Sequence, residues 1–141
     1  DLPPVTGDIH LSLVQGVPLD GAVIVSTPQE VALVDARKGV SMFQLEQINV
    51  PVVGIVENMS CFTPEELPDN NYYIVGKDGA TNMAEQLRVP FLRQVPLVQS
   101  VRESRDVGRP AVLQENTVIS SHFDELVRNF VKQVESKLVE Q

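Results

Sequence analysis

Short runs of consecutive apolar residues alternate along this chain with longer stretches whose apolar positions recur every three or four residues. GAVIVST (21–27) is a continuous β-branched run, the pattern of a strand buried on both faces. In the stretch that follows, TPQEVALVDARKGVSMFQLEQ, Thr27 is placed to cap a helix, Pro28 to take its first position and Glu30 to close a capping box. Val31, Val34 or Ala36, Val40 and Phe43 would form the inward stripe of that helix. PVVGIVENMS (51–60) predicts a second buried strand, and YYIVG (72–76), reached through the polar loop FTPEELPDNN, a short third. ATNMAEQLR (80–88) reads as helix, PFLRQVP (90–96) as a fourth strand pinned by prolines, and SVRESRDVG as a short helix ending at Gly108. The C-terminal stretch carries the longest periodicity. Ile119, Phe123, Leu126, Phe130, Val134 and Leu138 share one face of a helix of about five turns.

Strand, helix, strand, helix with short links predicts an α/β fold with a mainly parallel sheet flanked by helices. The 141 residues fit one domain, or a large piece of one, without internal repeats. In open α/β sheets the functional loops lie at the carboxyl ends of the strands. The chain opens on such a loop, DLPPVTGD, with no strand before it, so a strand is expected upstream of Asp1.

Composition narrows the partners. At 43% hydrophobic and 21% charged the chain is globular. Its net charge of −8, with scattered basic residues, disfavours a nucleic-acid partner, because neutralising phosphates takes clustered Lys and Arg. The single cysteine, Cys61, excludes an internal disulfide and fits a reducing, cytoplasmic setting. No apolar run approaches the roughly 18 residues of a membrane span.

Three stretches can carry chemistry. Asp1, at a strand end, suits Mg²⁺ held through a coordinated water, and Thr6-Gly7 lets an N–H approach a phosphate; the alternative is a plain turn in which Asp8 caps the next helix. Asn58, directly after a buried strand, offers a donor and an acceptor to an adenine edge, or else satisfies backbone groups of its own loop. In QVPLVQSVRESRDVGRP the backbone after Pro96, through Val98, could flank a base, whereas Arg102, Glu103, Arg105 and Asp106 suit surface ion pairs. Cys61 is either a small apolar filler or a metal ligand. His10 and His122 lie far apart, with no metal spacing to link them.

Taken in order, DLPPVTGDIHLSLVQ, GAVIVSTPQEVALVDARKGVSMF, VPVVGIVENMS, YYIVGKDGATNMAEQL and VPLVQSVRESRDVGRP resemble the C-terminal portion of the Mrp-type ATPases. These are iron–sulfur cluster carriers in the MinD/ParA branch of P-loop NTPases. The resemblance implies that residues 1–141 are part of a single P-loop NTPase domain, starting at the Walker B strand end and switch II. It makes Asp1 the Mg²⁺-proximal carboxylate and the turn through Gly7 the γ-phosphate sensor. It makes Asn58 the adenine contact, with the loop after Pro96 and Val98 closing the base pocket. The phosphate-binding loop of the family lies upstream, since no Gly-rich GK[ST] occurs here. The implied activity is Mg-ATP hydrolysis in iron–sulfur cluster assembly or delivery, by a homodimer serving client or scaffold proteins, with these residues alone inactive.

Two departures qualify the likeness. Val5 stands where the family usually has a switch glycine. Where the family commonly has Cys-x-x-Cys, this chain reads CFTPEELPDNNYY, so a dimer would offer two thiolates of the four a cluster usually takes. Glu65, Glu66 and Asp69 are hard oxygen donors and replace thiolates poorly, which leaves Cys61 as the one candidate ligand. The alternatives are a MinD/ParA-like positioning ATPase and a non-catalytic interaction fragment. The mixed charges of SHFDELVRNFVKQVESKLVEQ suit a core-docking helix better than a basic membrane helix.

Overall fold

The computed structural model describes residues 8–64, 66–67, 69–99, 101, 106, 108, 110–113 and 117–139. Over these the chain forms α1 (Asp8–Gly16), β1 (Ala22–Ser26), α2 (Glu30–Phe43), β2 (Val52–Phe62), α3 (Gly79–Leu87), β3 (Phe91–Leu97), a 3-10 turn (Ala111–Leu113) and α4 (Val118–Val139). The strands pair in parallel in the order β1-β2-β3, with α2 and α3 as the crossovers that parallel neighbours need. The expected α/β class with a parallel sheet is therefore the observed one.

β2 is central, and residues 52–57 are buried without interruption because strands cover both its edges and helices both its faces. On one face Leu33, Ala36, Val40 and Phe43 of α2 and Ala80, Met83 and Ala84 of α3 close over Ile55. On the other, Ile119 of α4, with Phe123 and Leu126, packs on Val56, Leu92 and Val95. Full burial of a side chain such as Ile55 or Ile119 contributes about 1.5–3 kcal/mol. α4 is also fastened by polar contacts to strand carbonyls: His122 to Gln94, Asn129 to Leu92 and Lys137 to Val52.

Three local expectations are corrected. No capping box forms on Thr27: α2 begins at Glu30, its N-cap is Gln29 without a side-chain bond, and the Thr27 hydroxyl is buried without a partner. Tertiary packing decides this point, because the Gly76–Gly79 loop sits directly on Pro28. A Cβ on Gly79 would lie 2.6 Å from the Pro28 carbonyl oxygen. With the helix starting later, Val31 turns outward at 79% exposure and Leu33 takes the inward place.

Nor is YYIVG a strand of the sheet. It makes one antiparallel bridge, Tyr72 with Phe62, while Tyr73 and Ile74 stay exposed. The place beside β2 is taken by β3. Finally, β1 is buried on the α2 side only. Val25 is 61% exposed on the other side, where Val23, Val25, Phe123, Leu126, Val127 and Phe130 border an apolar cavity of about 350 Å³. No helix among the described residues is long and apolar enough to cross a membrane.

The Pro28 contact yields a stability test. Gly79→Ala must push backbone against backbone and is expected to cost about 1–3 kcal/mol in denaturant unfolding. Gly16→Ala, whose added Cβ meets nothing within 4 Å, is expected to change stability little.

Candidate functional site

A parallel sheet delivers all its carboxyl ends to one side, so Ser26, Glu57 and Gln94 arrive there together: Ser26 is the register partner of Glu57, and Glu57 of Gln94. Glu57 is completely buried. An uncompensated carboxylate in an apolar core is costly, so its partners matter. Its Oε2 accepts the Ala80 N–H at 2.7 Å, one of the donors that the first turn of α3 leaves without an intrahelical acceptor. Its Oε1 accepts from Gln94 Nε2 at 3.1 Å, and the same nitrogen donates to Asp78 Oδ1 at 2.9 Å. Asp78, the N-cap of α3, makes no side-chain cap bond to the helix, so the cap comes from β2 across the fold. Burial pushes the Glu57 carboxyl above the usual range. The nearby Asp78 charge adds to this, against lowering by the bonds from Ala80, Gln94 and Thr81.

The β2–β3 pairing is irregular on either side of Glu57, with one register shift between Ile55 and Val56. Pairing with β3 shifts register between Asn58 and Phe62, and Met59 takes a left-handed φ of 55°. The Met59 N–H donates to Asn58 Oδ1 at 3.0 Å, which fixes the amide and leaves its NH₂ group for another partner. A bulge of this kind re-aims a side chain at the rim of a sheet. Asn58 is half-buried and borders the apolar cavity below α4. The β3 end is drawn in beside it: Asn58 is the register partner of Val95, and the Thr63 N–H donates to the Leu97 carbonyl at 3.2 Å. Pro96 and Val98 are both buried, Val98 within the α4-side core.

Of the residues singled out from sequence, the fold thus brings Asn58 and the Pro96–Val98 segment to adjoining strand ends. Asp1 and Gly7 lie outside the described residues, as do Glu65, Arg102, Glu103 and Arg105. Cys61 is half-buried, with its Sγ 3.5 Å from Asn71 Oδ1 and 3.9 Å from Thr63 Oγ1. Among the described residues no group of three or more His, Cys, Asp or Glu side chains could hold a metal ion. Sequence reasoning placed Glu57 with Asn58 after the buried run but gave a role to Asn58 alone, and it gave none to Gln94. The available signal was a carboxylate closing a run of apolar strand residues, where burial demands partners.

Residues 1–134 match the family described as ParA, NUBPL iron-transfer P-loop NTPase. An iron–sulfur cluster carrier protein of Synechocystis is 51% identical over 82% of this chain and 32% of its own length. The mouse iron–sulfur cluster transfer protein NUBPL is 48% identical over 82% of the chain and 35% of its own. The iron–sulfur cluster carrier protein of Escherichia coli K12 is 43% identical over 98% and 36%. The chain therefore spans about a third of the length of these curated relatives. Among solved structures, a nucleotide-binding protein in complex with ADP from Archaeoglobus fulgidus matches with a TM-score of 0.69 and 33% identity, over 82% of this chain and 46% of that one. The cell division ATPase MinD of Pyrococcus furiosus shares the fold, with a TM-score of 0.61 and 20% identity over 80% and 43%.

The buried carboxyl gives a pH prediction. With its folded pKa above the unfolded one, Glu57 favours the native state most below the ordinary carboxylate range. That contribution is lost as pH rises through the ordinary value toward the raised one. Glu57→Gln removes the titration, so unfolding free energies measured from pH 4 to 8 should show the variant gaining on the wild type as pH rises. A constant difference would contradict the assignment.

Proposed function

Because the chain belongs to the NUBPL iron-transfer family of ParA-type P-loop NTPases, we propose that the whole protein is a Mg-ATP-dependent ATPase of the Mrp type, acting in iron–sulfur cluster assembly or delivery. The observation that carries this is the placement of Asn58, on a bulged strand end beside the β3 exit, in a fold that matches an ADP-bound nucleotide-binding protein at 33% identity. The Asn58 amide contacts the adenine edge, and the turn through Pro96 and Val98 flanks the ring. Asp1 would hold Mg²⁺ through a coordinated water, the ion would supply charge neutralisation at the phosphates, and the turn through Gly7 would orient the attacking water. Catalysis of this type is mainly positioning and electrostatics, so a rigid strand end serves it directly.

The cluster is cargo in this scheme. These residues provide one thiolate, Cys61, beside the neutral oxygens of Asn71 and Thr63. A four-thiolate cluster takes its other ligands from elsewhere in the protein, from a second copy in a homodimer, or from a client or scaffold protein.

Two measurements test this function. In the full-length protein, Asn58→Ala is expected to weaken Mg-ATP binding roughly fivefold, the loss of about one net hydrogen bond, and Asp1→Ala to abolish turnover. Absence of Mg-ATP binding in the unmutated protein would overturn the function. Anaerobic reconstitution with iron and sulfide, read by absorbance and iron content, is expected to load less cluster on Cys61→Ser than on wild type. Equal loading would remove Cys61 from the ligand set.

A further inference from the structure

Gln94 stands at the crossing of four segments. Its side-chain NH₂ uses both hydrogens, one to Glu57 of β2 and one to Asp78 at the start of α3, at 3.1 and 2.9 Å. Its backbone carbonyl oxygen lies 3.0 Å from His122 Nδ1 of α4. A carbonyl only accepts, so that ring nitrogen carries the hydrogen. Glu57, the next link, accepts from Ala80 in α3. One residue of β3 thereby fixes the end of β2, the first turn of α3 and the seat of α4.

The residues that follow this clamp on the two strands are those assigned to the nucleotide base. Asn58 comes directly after Glu57, and Pro96 two positions after Gln94. Beyond the clamp the ladder is irregular and Met59 is left-handed, a conformation that persists only where its surroundings over-determine it. The bond from the Met59 N–H to Asn58 Oδ1 orients the amide, so that one acceptor lone pair and the NH₂ donor remain. That pairing matches the adjacent amine and ring nitrogen of adenine, whereas guanine offers two acceptors there. Its discrimination depends on where the amide is held, and the clamp holds it.

We propose that Gln94, bridging Glu57 and Asp78, is a positioning residue for the purine base: it sets the placement of Asn58 against the β3 exit and so confers preference for adenine over guanine nucleotides. This rests on the nucleotide site proposed above. Gln94 touches neither base nor phosphate in this scheme, so its loss must act on base selectivity and leave phosphate affinity intact.

The test uses the full-length protein, with Gln94→Leu and the milder Gln94→Asn, whose shorter amide cannot reach both carboxylates. Dissociation constants are measured for ADP, GDP and inorganic pyrophosphate, with melting temperature alongside. The wild type is expected to prefer ADP, and the variants to lose about tenfold in ADP affinity toward the GDP value with pyrophosphate unchanged. An unchanged ADP preference in a folded variant overturns the proposal. So does a parallel loss for all three ligands, the mark of a merely structural role. If the wild type binds neither nucleotide, the site itself falls and the clamp with it; discrimination that survives in Gln94→Asn removes the clamp alone.

Discussion

The placement of Glu57 is the constraint on which the rest of this structure turns. A carboxylate with no exposure midway along the central strand must be given partners, since leaving it unpaired would cost several kcal/mol. The fold meets that demand with the N-terminus of α3, whose first-turn N–H groups need an acceptor and whose dipole favours negative charge. It follows that α3 must begin where Glu57 can reach it. Gly79 then permits the close approach to Pro28 that this start requires, and Gln94 separates the carboxylate from that of Asp78.

The same arrangement accounts for the character of the site. Parallel pairing brings three strands to one side, and the clamp ties two of them together between two irregular points of their ladder. Asn58 is consequently presented by a rigid strand rather than by a free loop, which suits chemistry that depends on position. The third strand, β1, contributes the apolar wall of Val23 and Val25 across the cavity from α4. Polar fastening of α4 at residues 122, 129 and 137 holds that wall's opposite side in place.

Much of this was legible in the sequence where the signal is local. The continuous apolar runs marked β1 and β2, and the proline-bounded PFLRQVP marked β3, close to their observed bounds, while the long period-four pattern marked α4. The capping box at Thr27 failed because its geometry is set by the packing of a distant loop on Pro28, which no local pattern records. YYIVG has strand-forming residues, but β3 occupies the place beside β2. At the site, Asn58 was visible as a polar residue closing a buried strand. The bonds that hold it were not, because Glu57, Asp78 and Gln94 are separated by 21 and 16 positions and meet only after the crossovers form. His122 and Asn129, seven residues apart on α4, are its attachments to the sheet, a role that no local pattern marks.

On the proposed function, the clamped segments of β2 and β3 receive an adenine nucleotide. Amide and side-chain NH₂ resonances of the isotope-labelled full-length protein, recorded with and without ADP, test it most directly. The account predicts the largest base-dependent changes at Asn58, Met59 and residues 95–98 apart from the proline, with the Ala80 amide strongly protected from exchange in both states. Saturable ADP binding that leaves those resonances unmoved, or an Ala80 amide that exchanges freely, would contradict it.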